Sequence, residues 1–353
     1  KELLGYPAEA AGLFVSGGSM ANLAGLAAAR SARAPETGEQ GMGGQRLRIY
    51  ASEEGHFSIR GAAGLLGLGR ENVCAIRTDA RFRMDAAELE RQVEADAAAG
   101  YRPMCIVGSL GTTSTGAVDP LEEVAAVARR HGCWLHVDGA YGAFAALAPS
   151  GKALCRGLGQ ADSVALDPHK WLYSSMGCGC VLYRDEAAAR AAFAHDAEYI
   201  RPVGLERDEA FAFWDFGPEL SRPFRALSVW LQIRCAGATA LGAAIEQNIQ
   251  CAKYFERLIQ ESGDFEMLAP VELSVFCFRY APRTFAGDLD AFNELLLVEL
   301  QRAGHSYLSN ARLRGRFALR GCVLNYRTTE RDMEILLEDV RAAAGQVLAS
   351  AIR

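Results

Sequence analysis

Residues 167–173 read DPHKWLY and place Lys170 shortly after an apolar run, Ser163–Leu166. A second apolar run, residues 133–137, ends upstream at Asp138. Both runs have the length and composition of buried strands, so the sequence predicts a lysine and an aspartate at the ends of two strands. A buried carboxylate needs a cationic or hydrogen-bonding partner, and a lysine amine can form a Schiff base with an aldehyde.

A lysine and an aspartate so placed are the two groups that hold pyridoxal phosphate (PLP). Lys170 would bind the aldehyde of the cofactor, and Asp138 would pair with its ring nitrogen and keep that nitrogen protonated, so that the ring can accept electrons. Asp138 could instead bind Mg²⁺, but the sequence has no Walker loop and no second carboxylate at a fitting spacing. We therefore expect PLP as the cofactor and no metal site.

The bulk composition excludes several classes of function. The 353 residues carry a net charge of −6 and no basic stripe, which argues against a nucleic-acid partner. The ten cysteines are scattered and read as apolar core residues of a protein in the reducing cytoplasm. No run has transmembrane length, and no segment shows a signal-peptide pattern. Because the chain begins with Lys1 rather than Met, we expect an upstream segment to be missing.

Strand-like and helix-like patterns alternate over the first two thirds of the chain, which predicts a mostly parallel sheet with helices on both faces. The expected strands are residues 47–51, 73–76, 104–110, 134–137 and 163–166, and the expected helices are 20–33, 85–98 and 121–131. Residues 195–218 read as a long loop. Helices at 224–236 and 243–261 follow, and then a smaller α+β region. We expect a large domain at 1–228 and a small C-terminal domain at 229–353.

Three further segments fall at expected strand ends or helix starts. Gly18 and Ser19 precede a helix, where backbone N–H groups can bind phosphate, although Ser19 could also be a simple N-cap. His56 could stack on the cofactor ring, although, taken alone, a histidine here is better explained as an N-cap or a surface residue. Thr112 and Thr113 could donate hydrogen bonds to the cofactor or substrate, or could form a turn.

The residues around the lysine and the aspartate suggest further contacts. Asp167 could reach the cofactor phosphate and His169 the substrate carboxylate, while Ala140 is small enough to lie beneath the ring. The apolar neighbours of Lys170 favour burial, which favours the neutral amine that reaction with an aldehyde requires.

Taken together, these motifs resemble the group II PLP-dependent decarboxylases, which include aromatic-L-amino-acid, tyrosine, histidine and glutamate decarboxylases. The lysine signature of that family is matched by Ser163-Val164, Lys170-Trp171-Leu172, Met176, Cys178, Val181 and Arg184. Residues 136–141, HVDGAY, resemble the HVDAAY of the family with one Ala replaced by Gly. The resemblance implies fold type I, that of aspartate aminotransferase: an α/β protein with a large, mostly parallel sheet domain and a small C-terminal α+β domain.

The resemblance also implies site residues. Lys170, His56, His169 and Tyr199 are the expected catalytic residues, with Tyr199 on a loop that closes over the site and protonates the substrate carbon after carbon dioxide leaves. Gly18, Ser19, Thr113, Asp138, Ala140 and Asp167 are expected at the cofactor, together with His56, His169 and Lys170. Arg320 and Thr113 are expected at the substrate. A homodimer with shared sites is implied as well, with no membrane partner.

The expected reaction is decarboxylation of an L-amino acid to its amine. An aromatic substrate is favoured because the sequence motifs are most similar to those of the family members that act on aromatic amino acids. A glutamate or other acidic substrate is one alternative. An aldehyde-forming reaction on the same scaffold is another, although those enzymes are associated with phenylalanine at the position of Tyr199. A non-catalytic interaction protein with this fold is disfavoured by the intact set of Asp138, Lys170, His56 and Tyr199.

Overall fold

The computed structural model of the chain describes residues 1–194 and 212–351, and the features below belong to those residues. A large sheet lies at the centre of the first domain. Its strands are β1 (Ala11–Val15), β2 (Leu47–Ser52), β3 (Val73–Ile76), β4 (Arg102–Ser109), β5 (Trp134–Asp138), β6 (Ser163–Leu166) and β7 (Gly179–Tyr183). Their order across the sheet is β1-β7-β6-β5-β4-β2-β3.

The five neighbouring strands from β6 to β3 are parallel, and β7 runs antiparallel to both β6 and β1. Every residue of β6 and β7 is buried, which is why these segments read as continuous apolar runs rather than as alternating patterns. The expected parallel sheet is therefore confirmed. Sequence reasoning did not identify β1 or β7, which are short and contain Gly12 and Gly179.

Helices cover both faces of the sheet. In the first domain they are α1 (Gly18–Arg33), α2 (Glu36–Gln40), α3 (Ser58–Leu65), α4 (Ala86–Ala98), α5 (Leu121–Arg130), α6 (Pro149–Lys152) and α7 (Glu186–Phe193). Apolar residues of α1, α3 and α7 form one core with one face of the sheet. Residues of α4 and α5 belong to a second core on the opposite face. Neighbouring residues of β4, Ile106 and Val107, enter different cores because strand side chains alternate between faces.

A second, antiparallel sheet forms the small domain. Its strands are β8 (Phe265–Met267), β9 (Val275–Tyr280), β10 (Ser309–Leu313) and β11 (Arg316–Cys322), in the order β10-β11-β9-β8. The helices α9 (Leu289–Ala303) and α10 (Glu330–Ala351) pack on this sheet through a separate apolar core.

One long helix, α8 (Arg225–Ser262), joins the two domains. Sequence patterns predict two helices here with a gap at residues 237–242, which is wrong in detail because the helix is interrupted at Gly237 alone. That glycine has φ 80° and ψ 154°, a conformation that residues with a side chain rarely adopt. The expected domain boundary at 228/229 falls inside α8 and stays a prediction.

The expected long loop at 195–218 also needs a correction at its end, because Phe213–Phe216 form a 3-10 turn. Phe216 of this turn is fully buried and accepts a hydrogen bond from Tyr183 of β7 through its carbonyl. No helix in the described parts of the chain combines the length and the apolar character needed to cross a membrane.

The carboxyl ends of the parallel strands lie along one edge of the large sheet, as they must in an α/β fold. β2, β4, β5 and β6 end there at Ser52, Ser109, Asp138 and Leu166. The small domain contacts this edge, since Tyr141 lies 2.6 Å from Ser274 (Oη to Oγ) in a hydrogen bond. An open cavity lies between the two domains at this edge.

Candidate active site

The cavity has a volume of about 640 Å³ and is lined by loops that follow the parallel strands, by the start of α1 and by β11. The expected site residues that line it are Gly18, Ser19, His56, Thr113, Asp138, Ala140, Asp167, His169, Lys170 and Arg320. Tyr199 lies outside the described residues. Residues that are up to 302 positions apart in the sequence, Gly18 and Arg320, therefore converge on one space.

Lys170 stands in a tight turn just after β6. Its backbone N–H bonds to the Asp167 carbonyl at 2.9 Å, and its Nζ lies 3.1 Å from Oδ2 of Asp167. The apolar neighbours suggested a buried lysine, but the side chain is 31% exposed because it extends into the cavity. The amine is thus accessible and is held by one carboxylate.

Asp167 is buried, and its carboxylate is only partly satisfied. Oδ2 pairs with Lys170, whereas Oδ1 has no hydrogen-bond partner among the described residues. His169 Nδ1 lies 3.7 Å from that oxygen but donates instead to the Cys178 carbonyl at 2.8 Å. A buried carboxylate oxygen without a donor is costly. We therefore expect Oδ1 of Asp167 to accept a hydrogen bond from a group that binds in the cavity.

Asp138 ends β5 and faces the cavity with a carboxylate that already has two donors. Oδ1 accepts from the Ala140 backbone N–H at 3.2 Å, and Oδ2 accepts from Nδ2 of Asn22 at 2.9 Å. Both bonds stabilise the ionised carboxylate and fix its orientation. A carboxylate held in this way is suited to pair with a protonated ring nitrogen.

His56 lies on the loop after β2. Its Nδ1 accepts from the Ser58 backbone N–H at 3.2 Å and lies 2.7 Å from Ser58 Oγ. Burial lowers the pKa of His56, and the nearby Asp138 carboxylate offsets part of this effect. A neutral imidazole fixed at Nδ1 can present a flat face to an aromatic ring.

The start of α1 forms a close-fitting wall of the cavity. The helix begins at Gly18, and Gly17 is its N-cap. Ser19 lies inside the helix, so it is not the N-cap. A Cβ at Gly18 would lie 2.8 Å from Oδ2 of Asp167 and 2.9 Å from the Cβ of Ala140. Only glycine therefore lets the helix N-terminus approach the lysine turn so closely.

The structure assigns different roles to the two neighbouring threonines. Thr112 is buried, and its Oγ1 accepts from the Ala117 N–H and lies 2.9 Å from Thr115 Oγ1, so its hydroxyl serves the turn. Thr113 is exposed to the cavity. Arg320 donates through Nε to the Thr113 carbonyl at 2.8 Å and thereby fixes the loop to β11.

Several lining residues were missed by sequence reasoning. Asn22, Phe57, Tyr141, Cys322 and Leu324 all line the cavity. Asn22 is an asparagine inside an Ala-rich helix, one turn after the Gly-Ser loop, and this was a signal that could have identified it. Cys322 and Leu324 carry no such signal, because only the docking of the small domain brings them to the site.

The residues present fit pyridoxal phosphate. An accessible lysine amine, an ionised carboxylate and a flat neutral histidine share one cavity with a helix N-terminus. The glycine at that N-terminus lets the helix come close to the lysine turn, where its free backbone N–H groups can bind a phosphate. Lys170 would hold the aldehyde, Asp138 the ring nitrogen and the Gly18–Ser19 turn the phosphate.

Comparisons with known proteins agree with this chemistry. A family profile described as "Pyridoxal-dependent decarboxylase conserved domain" matches residues 1–281. An aromatic-L-amino-acid decarboxylase of Bacillus atrophaeus is 37% identical over 98% of this chain and 72% of its own length. An acidic amino acid decarboxylase of Bos taurus is 30% identical over 96% of this chain and 67% of its own length.

The fold is also similar to that of a solved structure. The crystal structure of Oryza sativa TDC with PLP and tryptamine superposes with a TM-score of 0.91 at 30% identity, over 98% of this chain and 74% of that chain. Across the relatives and solved structures it matches here, the chain spans between 52% and 74% of their length.

We expect Gly18→Ala to weaken PLP binding about tenfold or more, because the added methyl must displace Asp167 or Ala140 and narrow the phosphate end of the cavity. Titration of the apoprotein with PLP, followed by absorbance, measures the change. Gly61→Ala is the matched control, since a Cβ at that position in α3 meets no atom within 4 Å. Equal affinities for the wild type and Gly18→Ala would contradict this role of Gly18.

Proposed function

The chain belongs to the pyridoxal-dependent decarboxylase family, and we propose that it removes carbon dioxide from an aromatic L-amino acid to give the corresponding amine. The observation that carries this proposal is the convergence of Lys170, Asp138 and His56 on one cavity. PLP is the cofactor, and when bound it supplies an electron sink that makes loss of carbon dioxide feasible.

Within the cavity each side chain is assigned a task that its contacts allow. Lys170 would present its amine to the cofactor aldehyde, and in this structure that amine is held 3.1 Å from Oδ2 of Asp167. Asp138 would pair with the protonated ring nitrogen, because its carboxylate is oriented by hydrogen bonds from Asn22 and Ala140. His56 restricts the ring from one face.

Orientation of the substrate carboxylate is assigned to His169, Thr113 and Arg320. Loss of carbon dioxide is fastest when the breaking bond stands perpendicular to the cofactor ring, which is a positioning task. The guanidinium of Arg320 is held through Nε by the Thr113 and Ser114 carbonyls at 2.8 and 3.2 Å. His169 is fixed by its bond to the Cys178 carbonyl, so both groups are oriented before substrate arrives.

Tyr199 is assigned the final proton transfer, to the substrate carbon from which carbon dioxide has left. The assignment rests on the sequence resemblance, since this residue lies outside the described part of the chain. A tyrosine hydroxyl can serve as the acid when a closing loop brings it to the carbon and excludes water. Retention of this tyrosine supports the amine-forming reaction over the aldehyde-forming alternative.

An aromatic substrate is supported by the lining of the cavity. Phe57, Cys322 and Leu324 offer apolar contact, and Phe57 is 77% exposed as it faces the open space. Among the described lining residues the lysine and arginine side chains are those of Lys170 and Arg320, and both already have tasks. An acidic substrate side chain would therefore lack a dedicated partner here, although an acidic amino acid decarboxylase is among the relatives.

A panel of the twenty amino acids tests the reaction and the substrate class together. We expect carbon dioxide and the matching amine from tryptophan, tyrosine or phenylalanine, with at least tenfold lower kcat/KM for aspartate and glutamate, because an unpaired charge in an apolar pocket is costly. Mass spectrometry of the products separates amine from aldehyde, and Lys170→Ala gives the background. Preferred turnover of an acidic amino acid, or aldehyde in place of amine, would contradict the proposal.

The protein is further proposed to be a cytoplasmic homodimer. All ten cysteines are free, as suits a reducing compartment. An apolar strip runs along the first part of α8, where Phe224, Leu227, Trp230 and Leu231 are between 44% and 75% exposed. Residues 227, 230 and 231 share one face of the helix, and an exposed strip of this kind is typical of a protein interface. A second copy of the chain is its proposed occupant.

Trp230→Glu is expected to convert the dimer to a monomer, because a carboxylate cannot be buried in an apolar interface without a partner. Light scattering coupled to size-exclusion chromatography measures the mass. Leu295→Glu on α9 is a matched control, since Leu295 is 60% exposed in the small domain, away from the strip. A wild-type protein that is monomeric at micromolar concentration would overturn the dimer proposal.

A further inference from the structure

A chain of buried hydrogen bonds runs beneath the cavity and reaches both Asp138 and His56. Its members lie on β5, β6 and α1 and on the loop that ends at the start of α3. They are Trp134, Ser163, His136, Asn22, Ser58, Asp138 and His56.

The bonds of this chain are short and consecutive. Trp134 Nε1 donates to Ser163 Oγ at 2.8 Å, and that oxygen lies 2.8 Å from Nδ1 of His136. Nε2 of His136 lies 2.9 Å from Oδ1 of Asn22. Nδ2 of Asn22 is 2.9 Å from both Asp138 Oδ2 and Ser58 Oγ.

The directions of these bonds follow from the carboxylate, which can only accept. Asn22 therefore turns its NH₂ toward Asp138 and Ser58 and its Oδ1 toward His136. Nε2 of His136 must then carry the hydrogen that it donates to Oδ1 of Asn22. Nδ1 of a neutral His136 accepts the hydroxyl proton of Ser163, whose oxygen accepts from the indole N–H of Trp134.

The far end of the chain agrees with this direction. Asp138 accepts a hydrogen bond from Asn22. Ser58 also accepts a hydrogen bond from Asn22 and donates its own hydroxyl proton to Nδ1 of His56. The Ser58 backbone N–H also donates to that nitrogen at 3.2 Å, so His56 must carry its hydrogen on Nε2. Burial lowers the pKa of His136 to about 4, so the imidazole is neutral as the chain requires.

The packing of α1 is adapted to this chain. Asn22 and Ser163 are almost wholly buried, and His136 has no exposed surface. Gly25 lies on α1 one turn beyond Asn22, and a Cβ there would lie 2.4 Å from Cε1 of His136. Glycine at position 25 thus leaves the space that the imidazole occupies between helix and sheet.

We propose that Asn22 is a positioning residue for the reaction: its amide holds the Asp138 carboxylate oriented for the ring nitrogen of the cofactor and, through Ser58, fixes the tautomer of His56, which would pack on the same ring. The proposal deepens the proposed function and rests on it only for the identity of the cofactor. Without this donor the carboxylate would no longer be held in the orientation that Asn22 gives it. The ring nitrogen of a bound cofactor would then lose the partner that keeps it protonated.

Asn22→Leu removes both donors and the acceptor while keeping the branched shape and the number of non-hydrogen atoms of the side chain. We expect the apoprotein to bind PLP between about tenfold and a hundredfold more weakly, the range for a hydrogen bond to a charged group. With ¹⁵N-labelled PLP bound, the NMR signal of the ring nitrogen is expected to move from the protonated toward the unprotonated position. Unchanged affinity with an unchanged ring signal would overturn the proposal.

Asn293→Leu is the matched control for a purely structural loss. Asn293 is also fully buried, and its amide bonds to Tyr280 and Leu289 in the small domain, away from the cavity. We expect both variants to melt at lower temperature, but only Asn22→Leu to change PLP affinity and the ring signal. If Asn293→Leu changed them equally, Asn22 would have only a structural role.

The wild-type protein alone also tests the hydrogen-bond chain, should Asn22→Leu fail to fold. With ¹⁵N-labelled histidine, His136 and His56 are both expected as neutral rings with the hydrogen on Nε2. A hydrogen on Nδ1 of either ring would overturn the proposal. A wild type that did not bind PLP would instead contradict the proposed function, so the two failures are distinguishable.

Discussion

Parallel pairing of β5 with β6 is the constraint on which the candidate site depends. Asp138 stands opposite Ala165 in this pairing, one residue before β6 ends and the turn with Lys170 begins. Adjacent strands lie about 4.8 Å apart, so the carboxylate and the lysine turn must be close neighbours at one edge of the sheet. The separation of a cofactor's two attachment points is thus set by backbone hydrogen bonds rather than by flexible side chains.

The close approach of α1 to the sheet is the second constraint, and two glycines make it possible. Gly18 lets the helix N-terminus meet the lysine turn, and Gly25 leaves room for the His136 ring. Asn22 lies between them and faces Asp138. The same helix therefore offers its N-terminus to an anion and a buried amide to the carboxylate at the opposite end of the cavity.

Most of the large domain and the central site residues could be predicted from the sequence, because buried parallel strands leave continuous apolar runs and Asp138 and Lys170 follow two of them. The hydrogen-bond chain through Asn22 could not, since it depends on how a helix packs across two strands. β1 and β7 were missed for a related reason: they are short and contain glycine, and their pairing with each other is visible only in the folded sheet. The partial exposure of Lys170 likewise follows from the cavity, not from its apolar neighbours.

The central claim is that Lys170 is the residue to which the cofactor attaches, and reduction with borohydride tests it most directly. The chain has four lysines, Lys1, Lys152, Lys170 and Lys253, so peptide mapping after reduction gives a clear result. The account predicts a phosphopyridoxyl label on Lys170 and none on the other three. A label on another lysine, or no lysine label in protein that retains the bound cofactor, would contradict it.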